Sequence, residues 1–202
     1  EWGRLSEAGM EEKMEASPGA LVIDATHPYA VKVTKQLQAA CAAAGVPLRR
    51  LLRKESGQEG CMVVDSCAQA ASFLQKQRGN VLLTTGAKEL GAFAALDRLF
   101  PRVLPTHASL SACEALGIPH RNILALQGPF SQEMNAAMLA QYQIRWLVTK
   151  DGGAVGGYEE KYAAAQERGV PVILIRRPGD SGSSMEELLK SLEGGEMPCT
   201  LR

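Results

Sequence analysis

The chain has 202 residues, and its 22 Lys and Arg residues are balanced by 22 Asp and Glu residues. The formal net charge of zero excludes a protein held to nucleic acid or to an anionic membrane mainly by bulk charge. Aromatic residues make up only 5% of the chain, so we expect Ala, Val, Leu and Ile to build the core. No apolar run approaches the roughly 18 residues that a membrane helix needs, and no signal peptide opens the sequence. The composition favours a cytoplasmic protein with no membrane or nucleic-acid partner.

Cysteine usage is consistent with the same compartment. The five cysteines are odd in number and lack the spacing of a metal site; they are Cys41, Cys61, Cys67, Cys113 and Cys199. Because only three histidines accompany them, we expect a reducing environment and no metal.

The predicted elements alternate between strand and helix. A helix from Ser6 to Glu15 is followed by a short buried strand at Leu21–Ile23. Apolar runs rich in Val, Ile and Leu then recur at Val46–Leu52, Cys61–Val64, Val81–Leu83, Val103–Leu104, Ile123–Leu126, Trp146–Val148 and Val170–Ile175. Since these runs lack polar alternation, they are typical of strands buried on both faces of a parallel sheet.

Segments with helical spacing separate the strands. The clearest ends at Gly45, and its apolar stripe consists of Ala30, Val33, Leu37, Cys41 and Ala44. The alternation predicts an α/β protein in which helices cover a mostly parallel sheet. The composition changes at Glu55–Gly60, which divides the chain into predicted domains at residues 1–57 and 58–202. A flexible loop at Gly179–Ser184 is expected before a last short helix.

The turn after the first strand is a candidate binding site, because ligands of parallel sheets bind beyond the carboxyl ends of strands. Pro28 suits the first position of the next helix. That leaves Asp24, Thr26, His27 and Tyr29 beside backbone N–H groups that favour anions. An ordinary turn, in which Asp24 and Thr26 only satisfy backbone groups, fits these residues equally well.

Two further turns carry polar residues or glycine. Thr85 and Gly86 follow the strand at Val81–Leu83 and could hold a phosphate, although a plain turn is at least as good an interpretation. The turn at Gln127–Phe130, with Ser131 as the cap of the next helix, needs no function.

The most unusual stretch is Thr149–Gly157, which has four glycines in six residues. Glycines in such number are costly unless the chain needs positive φ angles or a close approach to a ligand. Lys150 adds a cation, yet the pattern is neither a dinucleotide fingerprint nor a Walker loop. A flexible loop is the alternative.

The remaining polar residues give little direction. Arg176 and Arg177 are typical of a solvated strand edge, and His107 and His120 are interpreted as loop residues. No Ser/His/Asp order, metal cluster or carboxylate pair requires hydrolytic chemistry.

The string LVIDATHPYA at Leu21–Ala30 resembles the precorrin-6A reductases of cobalamin biosynthesis. The match continues with VLLTTGAKEL, VLPT, LQGPFSQEMN, VTKDGGAVGGYEEKYAAA and GVPVILIRRP, at Val81–Leu90, Val103–Thr106, Leu126–Asn135, Val148–Ala165 and Gly169–Pro178. The motifs occur in the family's order between Gly3 and Pro178.

The resemblance implies two Rossmann-like lobes, with mostly parallel sheets flanked by helices and a ligand cleft between them. It implies reduction of precorrin-6A, or of cobalt-precorrin-6A, to precorrin-6B by hydride transfer from NADPH or NADH. The partner would be a tetrapyrrole, and the protein a monomer or small homo-oligomer. Hydride transfer needs no protein nucleophile, which fits the lack of a catalytic triad.

Glycine-bearing turns after strands carry the residues expected to contact the dinucleotide, which are Thr85, Gly86, Lys150, Gly152 and Gly153. The residues expected to bind the macrocycle are Asp24, Thr26, His27 and Tyr29. His27 and Tyr29 are the predicted catalytic residues, with Tyr29 either donating a proton or packing against the ring.

The sequence also departs from the family's pattern. Family members begin with a strand and a glycine-rich turn before the segment that matches Trp2–Leu5, so this chain is expected to lack an opening strand–helix–strand unit. Two alternatives are a cofactor-free enzyme resembling uroporphyrinogen-III synthase and an inactive dinucleotide-binding fragment.

Overall fold

A computed structural model describes residues 5–54, 56–153 and 156–193. Several sequence features considered above lie outside the described residues: Trp2–Arg4, Glu55, Ala154, Val155 and Cys199. The chain divides into two units, one formed by Glu1–Lys54 with Pro178–Arg202 and the other by Glu55–Arg177.

Strands and helices alternate through most of the chain, as predicted. In chain order they are α1 (Glu7–Glu15), β1 (Val22–Asp24), α2 (Val31–Ala44), β2 (Leu48–Arg50), β3 (Met62–Val64), α3 (Cys67–Leu74), β4 (Asn80–Leu83), β5 (Leu99–Val103), α4 (His107–Ala115), β6 (Leu124–Ala125), α5 (Gln132–Gln141), β7 (Ile144–Lys150), α6 (Tyr158–Glu167), β8 (Val172–Ile175) and α7 (Met185–Glu193). Short 3-10 helices lie at Ala87–Phe93 and His120–Asn122.

In the first unit, two parallel strands pack with helices around a small core. β1 pairs with β2, placing Asp24 opposite Arg50. α2 ends at Gly45, whose φ of +65° is the left-handed conformation that glycine adopts without strain. The helix stop predicted from the sequence is confirmed.

The segment after Pro178 returns to the first unit. The Ser183 N–H donates to the carbonyl of Arg50 at 2.9 Å, and the Leu52 N–H donates to the carbonyl of Ser183 at 2.8 Å. A side chain at Gly182 would clash with the Arg50 carbonyl oxygen, so this close approach requires glycine. The observed division therefore differs from the predicted domains, which kept this segment with residues 58–202.

The second unit contains a six-stranded sheet in the order β3-β8-β7-β4-β5-β6. All of its described strand pairs are parallel. Every residue of β8 is buried, and the side chains of Val81, Leu147 and Ile173 are almost completely inaccessible. The apolar runs at β4 and β8 thus correspond to strands covered on both faces. The prediction is wrong for β1 and β3, in which Ile23 and Met62 are 42% and 39% exposed. The predicted α/β class is confirmed.

The strand order reverses direction between β4 and β7. From β4 the chain proceeds outward to β5 and β6, then returns to the other side of β4 as β7 and continues to β8. β4 and β7 are neighbours, with Leu83 opposite Val148. Their carboxyl ends therefore lie together at a topological switch point, where open α/β sheets bind ligands.

Several local predictions are wrong. α2 begins at Val31 rather than Pro28, because the Tyr29 and Ala30 N–H groups donate to Nδ1 and the carbonyl of His27 and close a separate turn. His107 starts α4 rather than lying in a loop, since Thr106 caps that helix by accepting from the Ser109 N–H at 3.2 Å.

Candidate functional site

Thr85 and Gly86, which follow β4, have polar groups at the switch point that a ligand could contact. Thr85 is 8% exposed, and its hydroxyl has no hydrogen-bond partner among the described residues. Gly86 has a φ of +91° and open space where a side chain would project, so a ligand can approach its backbone closely. A buried unpartnered hydroxyl beside an open backbone position is unusual in a structural turn.

Lys150, at the end of β7, is paired with Glu89 from the 3-10 helix after β4. The distance from Nζ of Lys150 to Oε1 of Glu89 is 2.8 Å. The hydrogen bond from Lys150 holds the pKa of Glu89 below its usual range, although partial burial opposes this. The cation predicted for a phosphate is therefore already balanced by a carboxylate.

Asp151 organises the glycine-rich turn that follows β7. Its side chain accepts hydrogen bonds from the N–H of Ser56 at 3.0 Å, from the Ser56 hydroxyl at 2.9 Å and from the Gly153 N–H at 2.9 Å. Arg177 lies beside it, with 2.8 Å between Nη2 and Oδ1. Burial alone would raise the pKa of Asp151, but the hydrogen bonds from Ser56 and Gly153, together with Arg177, lower it.

The glycines of this turn are buried and serve the turn itself. Gly153 has a φ of +70°, and its N–H points to Asp151. The Gly152 N–H donates to the carbonyl of Lys150 at 3.0 Å. Both predicted phosphate-binding N–H groups are thus engaged within the turn.

Sequence interpretation missed the role of Arg177. Its side chain is only 9% exposed, and its Nε donates to the carbonyl of Asp151 at 3.0 Å, so the solvated-edge interpretation is wrong for this residue. The solvated-edge interpretation is correct for Arg176, whose side chain is 62% exposed and pairs with Asp65. Successive side chains of a strand point to opposite faces of the sheet. Two adjacent arginines at the end of a strand therefore point in opposite directions, and this pattern could have indicated that one of them is buried.

In the first unit, Asp24 is used to build the turn after β1. Its Oδ1 accepts from the Thr26 N–H at 3.0 Å and lies 2.9 Å from Nη1 of Arg50. Burial would raise the pKa of Asp24, but the bonds from Thr26 and the charge of Arg50 lower it. The same Arg50 nitrogen donates to the carbonyl and hydroxyl of Thr26. This part of the turn fits the ordinary-turn interpretation.

His27 and Tyr29 are the accessible side chains among the residues assigned to the macrocycle. His27 is exposed and Tyr29 half-buried, and their ring centroids are 5.4 Å apart at an interplanar angle of 41°. The Asp24–Arg50 pair fixes the backbone that carries these two rings.

A second group of residues in the larger unit carries positive charge and was not predicted. Arg102 at the end of β5 and Lys161 in α6 both line a cavity of about 320 Å³. Sequence position gives no indication of this pairing, because the two cations come from segments far apart in the chain.

A metal-binding group and a membrane-spanning helix are both absent from the described ranges. No three His, Cys, Asp or Glu side chains there form a group that could hold a metal ion. Over the same residues, no helix is both long enough and apolar enough to cross a membrane.

The doubly wound sheet and the polar turns at its switch point define an α/β protein of the class that binds ligands at the carboxyl edge of the sheet. Fold alone does not assign a reaction, because such sheets support many chemistries.

Comparison with known proteins identifies the family. The family model described as precorrin-6x reductase CbiJ/CobK matches residues 1–193. The chain is 37% identical to the cobalt-precorrin-6A reductase of Salmonella typhimurium over 196 residues, which cover 94% of this chain and 74% of that protein. It is 33% identical to the cobalt-precorrin-6A reductase of Priestia megaterium, covering 94% and 79% of the two chains. The chain belongs to the precorrin-6x reductase family.

The structural comparison agrees with this assignment. A solved structure titled CobK precorrin-6A reductase superimposes with a TM-score of 0.72 and 28% identity, covering 95% of this chain and 79% of that one. The predicted resemblance is confirmed, and the chain is an oxidoreductase of cobalamin biosynthesis rather than a cofactor-free synthase.

Proposed function

We propose that this chain reduces precorrin-6A, or cobalt-precorrin-6A, to precorrin-6B by hydride transfer from NADPH or NADH. Family membership supports the substrate class. The observation that carries the proposal for the cofactor is the switch point between β4 and β7, where the unpartnered Thr85 hydroxyl lies next to the open backbone of Gly86.

The residues at this edge suit a dinucleotide. When bound, the reduced nicotinamide supplies the hydride. The hydroxyl of Thr85 donates to a phosphate or ribose oxygen, and Gly86 allows that group to approach the backbone. The turn held by Asp151 keeps Gly152 and Gly153 fixed beside it, so their contribution is shape rather than N–H donation.

Lys150 contributes through its pair with Glu89. A phosphate near Nζ would share the ammonium with Glu89, so the net charge offered to the cofactor is less than one positive unit. Lys150→Met should therefore weaken NADPH binding, whereas Glu89→Gln should strengthen it by releasing the lysine. Equal dissociation constants in Lys150→Met and the parent chain would exclude this role.

The first unit supplies the macrocycle contacts in this proposal. His27 and Tyr29 present their rings to the substrate, while Asp24 and Thr26 act as positioning residues by holding Arg50 and the backbone of the turn. Tyr29 either donates the proton that accompanies reduction or packs against the ring.

An anaerobic assay tests the function. The full chain is mixed with precorrin-6A or cobalt-precorrin-6A and with NADPH or NADH, and the loss of reduced-cofactor absorbance is followed. Turnover to precorrin-6B is expected with at least one pair. No turnover with any pair, under conditions in which a characterised reductase is active, would overturn the proposal.

A pair of matched variants tests the location of the cofactor. Thr85→Val removes the unpartnered hydroxyl at constant shape, and we expect a KM for the cofactor about 10-fold higher. Thr149→Val is the control, because Thr149 does not line the cavity with Arg102 and Lys161 and its hydroxyl already donates to the carbonyl of Lys150 at 3.3 Å. An unchanged KM in Thr85→Val would remove this residue from the cofactor site.

A further inference from the structure

The cavity that contains Arg102 and Lys161 lies at the same edge of the second unit as the switch point. Its walls come from the ends of β4, β5 and β6 and from the start of α6. The backbone of Gly128 and that of Gly157 line it, so part of the wall lacks side chains. The cavity measures about 320 Å³, which leaves room for a charged group of a larger ligand.

Lys161 is a buried cation that forms no ion pair with any described residue. The residue is 7% exposed, and no described residue lies within hydrogen-bonding or ion-pairing distance of its ammonium group. Burial, together with the charge of Arg102, lowers the pKa of Lys161 to about 8, although the carboxylates of Glu160 and Asp151 oppose this shift. An ammonium group held in this way is costly to the folded state unless an anion joins it.

Arg102 is oriented but not neutralised. Its Nη1 donates to Oδ1 of Asn135 at 2.7 Å, and its guanidinium lies 4.5 Å from the ring centroid of Phe130. The same Nη1 also donates to Sδ of Met138 at 3.6 Å. Among the described residues, no carboxylate forms an ion pair with Arg102, and Nε and Nη2 have no acceptor. The amide and the ring fix the guanidinium plane, which leaves its other edge available for an oxyanion.

We propose that Arg102 and Lys161 form an oxyanion subsite that binds one phosphate or carboxylate group in this cavity. Two like charges share a poorly solvated space, so an anion between them gains both attractions and relieves their repulsion. The N-terminus of α6, which begins after Gly157, adds N–H groups and a favourable dipole.

Two sources of the anion follow if the proposed function is correct. The group is a phosphate of the dinucleotide, or it is a peripheral carboxylate of the tetrapyrrole. Both offer the same chemistry to Arg102 and Lys161, and separate measurements distinguish them.

Calorimetric titration of the full chain with sodium pyrophosphate tests the subsite without requiring turnover. Lys161→Met removes the charge while keeping most of the side-chain volume, and we expect it to weaken pyrophosphate binding about 10- to 100-fold. Lys76→Met is the matched control, since Lys76 is exposed and does not line the cavity. Equal affinity in the parent chain and Lys161→Met, or no binding to the parent chain, would overturn the proposal.

NADP⁺ binding and the KM for the tetrapyrrole, measured in Lys161→Met, identify which ligand supplies the anion. If the anion is a nucleotide phosphate, Lys161→Met weakens NADP⁺ binding and leaves the KM for the tetrapyrrole unchanged. If it is a carboxylate, the KM rises and NADP⁺ binding is unchanged. A variant that alters neither contradicts a ligand-binding role for the cavity. Failure of the reductase assay alone, with pyrophosphate binding still dependent on Lys161, would overturn the proposed function and leave the subsite intact.

Discussion

Asp151 and Arg177 form a buried ion pair at the carboxyl edge of the second unit, with 2.8 Å between Oδ1 and Nη2 and side-chain exposures of 2% and 9%. Asp151 follows β7 and Arg177 follows β8, so the pair joins the ends of two adjacent strands. The glycine-rich turn is held by this charge pair as well as by its own backbone hydrogen bonds.

Breaking this pair should destabilise the second unit. Arg177→Met leaves the Asp151 carboxylate buried without its cation, and we expect a loss of about 3–5 kcal/mol in the free energy of unfolding. Urea unfolding followed by the fluorescence of Trp146, in a chain with Trp2→Phe, measures the effect.

The neighbouring pair provides the control for this experiment. Arg176 and Asp65 have side chains that are 62% and 73% exposed, so Arg176→Met should change the free energy by no more than about 1 kcal/mol. Adding Asp151→Asn to Arg177→Met should recover part of the loss. Strict additivity of those two changes would contradict direct coupling between the residues.

Lys161 should make the stability of the chain depend on alkaline pH. Its pKa is about 8 in the folded state and about 10.4 when unfolded, so between these values the unfolded chain binds more protons. The free energy of unfolding should rise over this interval, relative to Lys161→Met, by on the order of 3 kcal/mol. The charged groups that influence this lysine are Arg102 from β5, Glu160 beside it in α6 and Asp151 after β7.

Parallel urea titrations at several pH values measure this difference. Lys76→Met removes an exposed lysine, so its free energy of unfolding should have the same pH dependence as that of the parent chain. A constant difference between the parent chain and Lys161→Met would show that Lys161 keeps an ordinary pKa.

Asp24 should contribute stability to the first unit that is lost in acid. Its folded pKa lies below the unfolded value, so its contribution is present above about pH 4 and disappears as the pH falls through the folded pKa. Asp24→Asn should increase amide hydrogen exchange in β1 and β2 at neutral pH and flatten the acid dependence of that exchange. Leu51 is a suitable probe, because its N–H donates to the Asp24 carbonyl.

An exposed carboxylate serves as the comparison for Asp24. Asp65→Asn should leave exchange in β1 and β2 unchanged, since that side chain belongs to the second unit and is 73% exposed. The assignment fails if Asp24→Asn exchanges like the parent chain at neutral pH.

Tyr29 should affect the rate of reduction through its hydroxyl. If Tyr29 donates the proton, Tyr29→Phe lowers kcat about 100-fold or more and removes the corresponding ionisation from the pH profile. If it packs against the macrocycle, kcat is retained and only KM changes. His27→Gln, which removes the adjacent ring, should raise KM for the tetrapyrrole.

Tyr142→Phe controls for the loss of a tyrosine hydroxyl elsewhere. Tyr142 lies in the second unit and packs against Phe100, with 5.2 Å between the ring centroids. The Tyr142→Phe substitution should therefore leave kcat and KM unchanged. Normal turnover in both His27→Gln and Tyr29→Phe would exclude the turn after β1 from the substrate site.

The strands and several helix ends were predictable because their signals are local. A run such as Val81–Leu83 must be buried on both sides, and Gly45 stops α2 whatever surrounds it. α4 was missed because its sequence, HASLSACEA, has no clear apolar stripe, although Thr106 three residues before Ser109 is a recognisable cap.

The site was less predictable because its charges are partnered over long distances in the chain. Asp151 accepts a hydrogen bond from Ser56 and pairs with Arg177, and Lys150 pairs with Glu89. The spacing of these residues in the sequence does not indicate any of these contacts. The polar turns themselves were recognised, since each directly follows a strand. Which of their groups are engaged and which remain available depends on tertiary contacts alone.

Arg50 and Asp180 form an ion pair with 2.9 Å between Nε and Oδ2, and this pair affects the order in which the two units can fold during translation. The second unit is one continuous stretch and has all of its residues once Arg177 leaves the ribosome, whereas the first unit still awaits the segment that bears Asp180 and Ser183. Since domains generally fold as units during translation, the first unit is completed after the second, although residues 1–54 are translated before it.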